Sequence, residues 1–312
     1  MQLLTETQKQ VAKAILNIFE TGSVRGHYGQ VTLIPGDTGR LTFGRSQTTL
    51  TSGGLHRLIA AYVERMGARF AEALSPFLPQ LEARDPALDQ AGHFHNLLRA
   101  SADDPVMRDT QDEFFDENFW ATAERIARRD GLCRPLAVAV VYDSVVHGSW
   151  ARIRRRVLDG HGTAKDLGET VWITRYVETR HAWLANHSRS DLRRTVYRME
   201  ALRRLIDQDQ WLLEIPLVVR GHEINEESLR ATPPGVYDGP EPRSRTVTLT
   251  SPIQRGLDVR LAQLALSALG HDILADGLFG RISRGIVRQF QAARGLPETG
   301  SLGVDEFEAL GL

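Results

Sequence analysis

One cysteine in 312 residues leaves no partner for a disulfide within the chain. That residue, Cys133, stands in Gly-Leu-Cys-Arg-Pro-Leu-Ala-Val-Ala-Val-Val beside an apolar run, and is expected to be a core side chain rather than a nucleophile. No hydrophobic run approaches the roughly 18–20 residues that a membrane span needs. The stretch Met-Gln-Leu-Leu-Thr-Glu-Thr-Gln-Lys-Gln at the N-terminus lacks the basic and apolar regions of a secretory signal, so synthesis in the cytoplasm is expected. Neither sign of charge is in excess. With 38 Lys and Arg against 39 Asp and Glu the net charge is −1, which excludes a general attraction to nucleic acid or to an anionic membrane. The ten histidines form neither His-Glu-x-x-His nor a paired Cys/His spacing, so no metal site is expected. A Gly-x-Ser-x-Gly elbow is also missing, which leaves a Ser-His-Asp hydrolase unsupported.

What the chain does have is helical periodicity. Thr5 and Gln8 have the spacing of a capping box, and Val11, Ala14, Ile15, Ile18 and Phe19 follow on one face, predicting an amphipathic helix over 5–20 that ends near Gly22. Between Tyr28 and Phe43, β-branched residues mix with Gly and Pro, and short strands or a hairpin fit best. Helices are then predicted over 54–73, around 77–81, and over 107–129, 172–184 and 191–207. Most of the aromatics Phe114, Phe115, Phe119 and Trp120 are expected in the core. The run from Leu136 to His147 is apolar all round, as a central buried helix would be. Asp143 and His147 on that helix need partners, because an unpaired buried charge is costly. His27, His147 and His181 are read as hydrogen-bonded structural residues.

Residues 222–250 change character, with Pro, Gly and charged residues replacing the periodic pattern, and read as a linker or strap. They separate a domain of residues 1–222 from a smaller one of 251–312, with 223–250 between them. In the smaller domain Leu257, Leu261, Leu264 and Ala265 mark one helix, Ile286, Val287 and Phe290 a second, and Val304, Phe307 and Leu310 a short third.

Two carboxylates lie close in sequence on different elements: Glu20 closes the first helix, and Asp37 follows in a Gly-rich strand-and-turn stretch. Glycosidic bonds are cut by such a pair, one protonated to serve the leaving oxygen and one ionised to activate water or attack the sugar. By spacing alone, two solvated surface acids fit as well. The wording of the stretch distinguishes the two. Gly36-Asp-Thr-Gly-Arg-Leu-Thr-Phe-Gly44, preceded by a helix-ending Glu, resembles glycoside hydrolase family 46, the chitosanases, with a weaker likeness over roughly residues 5–220. The resemblance implies a mainly α, lysozyme-like two-lobed α+β catalytic domain with a small β element. It implies Glu20 as general acid, Asp37 as general base and Thr42 as a hydroxyl that helps place the attacking water, with no cofactor. It also implies an ion-pair network running from Glu20 to Arg198, Asp143 and Arg180. A raised Glu20 pKa from burial and an activity optimum on the acidic side are expected with it.

The string Asp276-Gly-Leu-Phe-Gly280, then Val287-Arg-Gln-Phe-Gln291, Gly295-Leu296 and Thr299-Gly300, is similar to the three-helix peptidoglycan-binding domain. Chitosan is a polycation and calls for carboxylates along the groove, yet Thr48-Thr-Leu-Thr-Ser-Gly-Gly-Leu-His-Arg57 holds none. The expected substrate is therefore peptidoglycan, cut at β-1,4 bonds by an inverting, bacteriolytic endo-hydrolase, with chitosan as the alternative. A lytic transglycosylase-like enzyme, which needs only the Glu, and a non-catalytic wall-binding protein stay open. With a wall polymer as partner, delivery after cell lysis or by non-classical secretion is expected.

Overall fold

A computed structural model describes residues 4–312 apart from Pro35, Asp37 and Ser46. The chain forms two compact units, Met1–Gly26 with Phe115–Ala231 and His27–Phe114 with Thr232–Leu312. Among the described residues no helix is long and apolar enough to cross a membrane.

The first unit is built around the helix Pro135–His147, whose residues from Pro135 to Ser144 are all buried. Such a helix needs apolar neighbours on every side. The helices Glu6–Thr21, Ala121–Arg129, Trp150–His161, Glu169–Ala185 and Tyr197–Asp207 supply them. The N-terminal helix starts on the Thr5/Gln8 capping box, buries Val11, Ile15, Ile18 and Phe19, and stops at Gly22, whose φ of +69° suits a residue without Cβ. Trp150, Trp172 and Tyr176 form an aromatic cluster with ring centroids 4.6–6.0 Å apart.

Several sequence expectations need correction here. The helix over 107–129 is one helical stretch in three parts, Pro105–Phe115, a π-helical turn Asp116–Trp120, and Ala121–Arg129. Phe115 and Trp120 are buried, whereas Phe114 and Phe119 are only partly so. The helix over 191–207 divides into Ser190–Arg193 and Tyr197–Asp207. Cys133 is exposed, because the apolar run starts only at Pro135 and Cys133 sits in the turn before it. Its amide and that of Arg134 donate to the Glu169 carboxylate at 2.7 and 2.6 Å, which places an acid at the N-terminus of the central helix. Residues 217–230 are ordered as a hairpin, Leu217–Val219 with His222–Ile224, and a helix Glu226–Arg230 capped by Asn225.

In the second unit, Val31–Thr32, Thr42–Phe43 and Thr48–Thr49 make a three-stranded antiparallel sheet in that order, with Val31 opposite Phe43 and Thr42 opposite Thr49. Leu41 and Phe43 from this sheet pack with Leu55, Ile59, Tyr62, Phe94 and Leu98 from the helices. The helix expected over 54–73 ends at Val63. Gly67, at φ +82°, turns the chain before the next short helix, Ala71–Leu74. The last sixty residues form the helices Leu257–Ala268, Arg281–Arg294 and Val304–Ala309 around Val259, Leu266, Phe279, Val287, Phe290 and Phe307.

These three helices are not held by a bare tether. The helix Leu257–Ala268 packs along Gly92–Ser101. Arg260, 3% exposed, donates to the carbonyls of Arg99 at 2.9 Å and Gly235 at 2.7 Å, and its Nε lies 3.3 Å from Asp103 Oδ2. The intervening strap contributes Val236, packed with Tyr28 and Ala102, and the Tyr237 amide, which donates to Asp103 Oδ1 at 2.9 Å.

Burial pushes the Asp103 carboxyl up to about 6, with Arg260 and the Tyr237 amide opposing it. A carboxyl whose folded pKa lies above its unfolded value binds more protons in the native state, so its contribution to stability is lost as pH rises through about 6. Between pH 4 and 6.5 the melting temperature of wild type should therefore fall relative to that of Asp103→Asn. Parallel curves would show that Asp103 does not titrate in this window.

Candidate active site

Glu20 is the penultimate residue of the N-terminal helix, with its side chain 40% exposed. The burial expected of it is absent, because the helix end leaves the carboxylate at the surface of its unit. Its Oε1 accepts a hydrogen bond of 2.5 Å from Arg198 Nη2. Arg198 opens the helix Tyr197–Asp207, is 2% exposed, and turns its Nη1 to Asp143 Oδ1 at 2.6 Å. The other oxygen of Asp143 accepts from Arg180 Nη1 at 2.5 Å, and that nitrogen also donates to Ser144 Oγ at 2.9 Å. The chain of ion pairs thus runs Glu20, Arg198, Asp143, Arg180, with two guanidiniums against two carboxylates.

Only its Glu20 end is open to solvent. Burial alone would raise the pKa of Asp143, but Arg180 and Arg198 outweigh it and hold the carboxyl below the usual range. For Arg198 burial works in the opposite direction and is likewise outweighed, by Asp143 and Glu20, so the guanidinium stays protonated. His147, one turn along the central helix, is lowered to about 4 by burial and then by the two guanidiniums, and so adds no charge to the chain near neutral pH. Arg198 thus divides its guanidinium between the Glu20 and Asp143 carboxylates.

Two residues not singled out in the sequence complete the surroundings of Glu20. The Tyr197 hydroxyl donates to the Phe19 carbonyl at 2.6 Å, one of the last carbonyls of the N-terminal helix. The Arg198 guanidinium lies 5.5 Å from the Phe19 ring centroid, so the dipeptide Tyr197-Arg198 grips the dipeptide Phe19-Glu20 at backbone, ring and carboxylate. Arg220, in the turn of the 217–224 hairpin, stacks over the Tyr197 ring at 3.9 Å. The only sequence signal for Tyr197 was its place next to Arg198, and for Arg220 there was none.

Thr42 belongs to the second unit, on the middle strand of the sheet, 7% exposed, with its hydroxyl donating to the Arg40 carbonyl at 3.1 Å. Asp37 lies outside the described residues. The glycine-rich segment around them is held from several sides. Arg40, at φ +60°, donates from Nε to Asp89 at 2.8 Å, and the Leu41 amide reaches the same carboxylate at 3.2 Å. Buried Arg45 pairs with Asp112, which also accepts from the Tyr28 hydroxyl at 2.7 Å. Gly44 has φ +76°, and a Cβ there would fall 2.3 Å from Gln111 Oε1, so only glycine fits. No group of three or more His, Cys, Asp or Glu among the described residues is placed to hold a metal ion.

The chain is similar to known proteins over most of its length. The family model of glycosyl hydrolase family 46 matches residues 14–217, and that of the peptidoglycan binding domain matches residues 255–310. A chitosanase of Bacillus subtilis (strain 168) is 29% identical over 239 residues, covering 70% of this chain and 84% of that protein. Among solved structures, a native chitosanase from Bacillus subtilis MY002 superposes with a TM-score of 0.59 at 26% identity, over 70% of this chain and 95% of the other. A family 46 chitosanase of Gynuella sunshinyii, in complex with chitotetraose, shares the fold with a TM-score of 0.58 at 22% identity, over 71% and 98% of the two chains.

Proposed function

The chain belongs to glycosyl hydrolase family 46 and carries a C-terminal peptidoglycan-binding domain, and on that premise we propose that it is an inverting endo-hydrolase of peptidoglycan glycan strands. Glu20 protonates the oxygen of the β-1,4 bond being cut, and Asp37 takes a proton from the attacking water, with Thr42 helping to place that water. The observation that carries the reading of Glu20 is its position at the one solvent-open end of an otherwise buried ion-pair chain. Inverting enzymes hold their two carboxyl groups roughly 6.5–9.5 Å apart to leave room for the water.

Peptidoglycan is favoured over chitosan by two features. The stretch Thr48–Arg57 offers no carboxylate to a polycation, and in place of one it presents Arg57, whose guanidinium lies 5.3 Å from the Phe114 ring centroid. The C-terminal domain points to the same polymer. The second reading, chitosan, is favoured by the activity named for the similar proteins. Mass spectrometry of soluble fragments released in parallel from purified peptidoglycan and from chitosan, with Glu20→Gln as blank, separates the readings. Muropeptides with free reducing ends are expected. Glucosamine oligomers alone would make chitosan the substrate, and silence on both would leave a non-catalytic wall-binding protein.

A further inference from the structure

The loop between the first two helices of the C-terminal domain has two working faces. One is held by the remainder of the second unit, a lobe to which the helix Gly92–Ser101 and the strap residue Tyr237 belong. Asn96, 3% exposed on the helix Gly92–Ser101, donates from Nδ2 to the Ile273 carbonyl at 2.7 Å and to Ser267 Oγ at 3.0 Å, and its Oδ1 accepts from the Ala275 amide at 3.0 Å. The Asp276 carbonyl then accepts from the Tyr237 hydroxyl at 3.1 Å and from Arg260 at 3.3 Å. The other face lines a groove of about 900 Å³. Leu274 and Leu278 from the loop stand there with Ile253 and Ile282, all four between 41% and 74% exposed, and Asp276 and Arg281 supply one charge of each sign.

We infer that this groove takes the peptide-bearing strand of peptidoglycan, and that its loop wall is set by the lobe through Asn96 and Tyr237, so that wall affinity belongs to the whole second unit. The inference rests on the peptidoglycan reading above. Four exposed aliphatic side chains in one groove call for methyl groups on the ligand, which the N-acetyl and alanyl groups of peptidoglycan provide. Stem carboxylates suit Arg281. Chitosan could place an ammonium against Asp276 but offers no methyl groups to the four aliphatic side chains. Asn96 touches no ligand and acts through the loop, whose backbone it fixes on both sides of Leu274. Removing this buried side chain leaves the Ile273 carbonyl and the Ala275 amide without their partner, and the loop then samples other arrangements.

The test is sedimentation of the full chain with purified peptidoglycan sacculi, in a Glu20→Gln background so that the polymer is not consumed. Ile282→Asp should weaken binding ~10-fold or more without changing the melting temperature, since it places a charge in the apolar groove at an exposed position. Asn96→Ala should weaken it to a similar extent. Tyr237→Phe, which removes one hydroxyl and keeps the ring on Arg260, should weaken it ~2–10-fold and serves if Asn96→Ala does not fold. Wild-type affinity in both Asn96→Ala and Tyr237→Phe, with Ile282→Asp impaired, would overturn the part assigned to the lobe. Unimpaired Ile282→Asp, or a parent chain that does not sediment, would overturn the groove assignment. Failure to cut peptidoglycan, with these binding losses as stated, would instead reject the proposed reaction and leave this inference standing.

Discussion

Glu20→Gln is expected to lower kcat by ~10²–10⁴-fold, the usual contribution of a positioned general acid, with KM and melting temperature little changed. The substitution keeps an oxygen that accepts from Arg198 and removes the proton that the proposed reaction delivers to the leaving sugar. The fold should tolerate it, because Glu20 is the exposed end of the ion-pair chain and Asp143 still faces Arg198. Steady-state kinetics on whichever polymer wild type cuts, with a thermal melt alongside, checks both halves of the expectation. A variant that retains full kcat would remove Glu20 from the acid's role.

The largest loss of stability is expected from Asp143→Asn. Asp143 is 1% exposed and is the only carboxylate between two guanidiniums that are themselves 0% and 2% exposed. Neutralising it leaves a buried arginine uncompensated, which costs about 3–5 kcal/mol and moves the melting temperature down on the order of 10 °C. Loss of activity should follow, since Arg198, which bonds Glu20, loses the buried carboxylate that holds its other end. Because the folded pKa of Asp143 lies below its unfolded value, the stability it contributes is present above the usual carboxylate range and is lost as pH falls through the folded pKa. Thermal melts of wild type and Asp143→Asn at pH 7 and pH 3 should therefore converge towards the acid end. A difference that stays constant with pH would mean that the carboxylate charge is not what holds the helices together.

These two effects trace back to features of unequal legibility. The central helix could be read from an uninterrupted apolar run, and Asp143 within it demanded a cation because charges are not buried alone. Which arginines would answer was not a matter of periodicity. The helix over 191–207 is dense in arginine, and only the family resemblance separated Arg198 from its solvated neighbours. Tyr197 and Arg220 escaped notice for a physical reason: each acts through a backbone carbonyl or a ring face, and neither kind of contact leaves a spacing in the sequence. Cys133 stands beside the apolar run in sequence, but the helix starts only at Pro135 and leaves Cys133 exposed in the preceding turn. The helix predicted over 54–73 ends at Val63, and Gly67 in its left-handed backbone keeps the chain from continuing it.

The C-terminal domain shows the same division. Its three helices follow from the spacing of Leu257, Val287, Phe290 and Phe307, which are buried together with their neighbours. Its attachment does not. Asn96, Asp103 and Arg260 are polar residues on ordinary amphipathic helices or their ends, and their burial arises only when the helix Leu257–Ala268 lies against Gly92–Ser101. A passage rich in Pro and Gly reads as a linker or a strap from composition, and Val236, Tyr237 and the pairing of Val247 with Leu302 make it part of a packed unit.

The central claim is that a carboxylic acid and a carboxylate act together on water and one glycosidic bond. Mass spectrometry of products formed in ¹⁸O-labelled water by wild type and by Asp37→Asn tests it most directly. The account predicts one heavy oxygen at every new reducing end, no anhydro ends, and a rate for Asp37→Asn lower by ~10²-fold or more. Anhydro ends without label, formed equally well by Asp37→Asn, would contradict it and assign the chemistry to Glu20 alone.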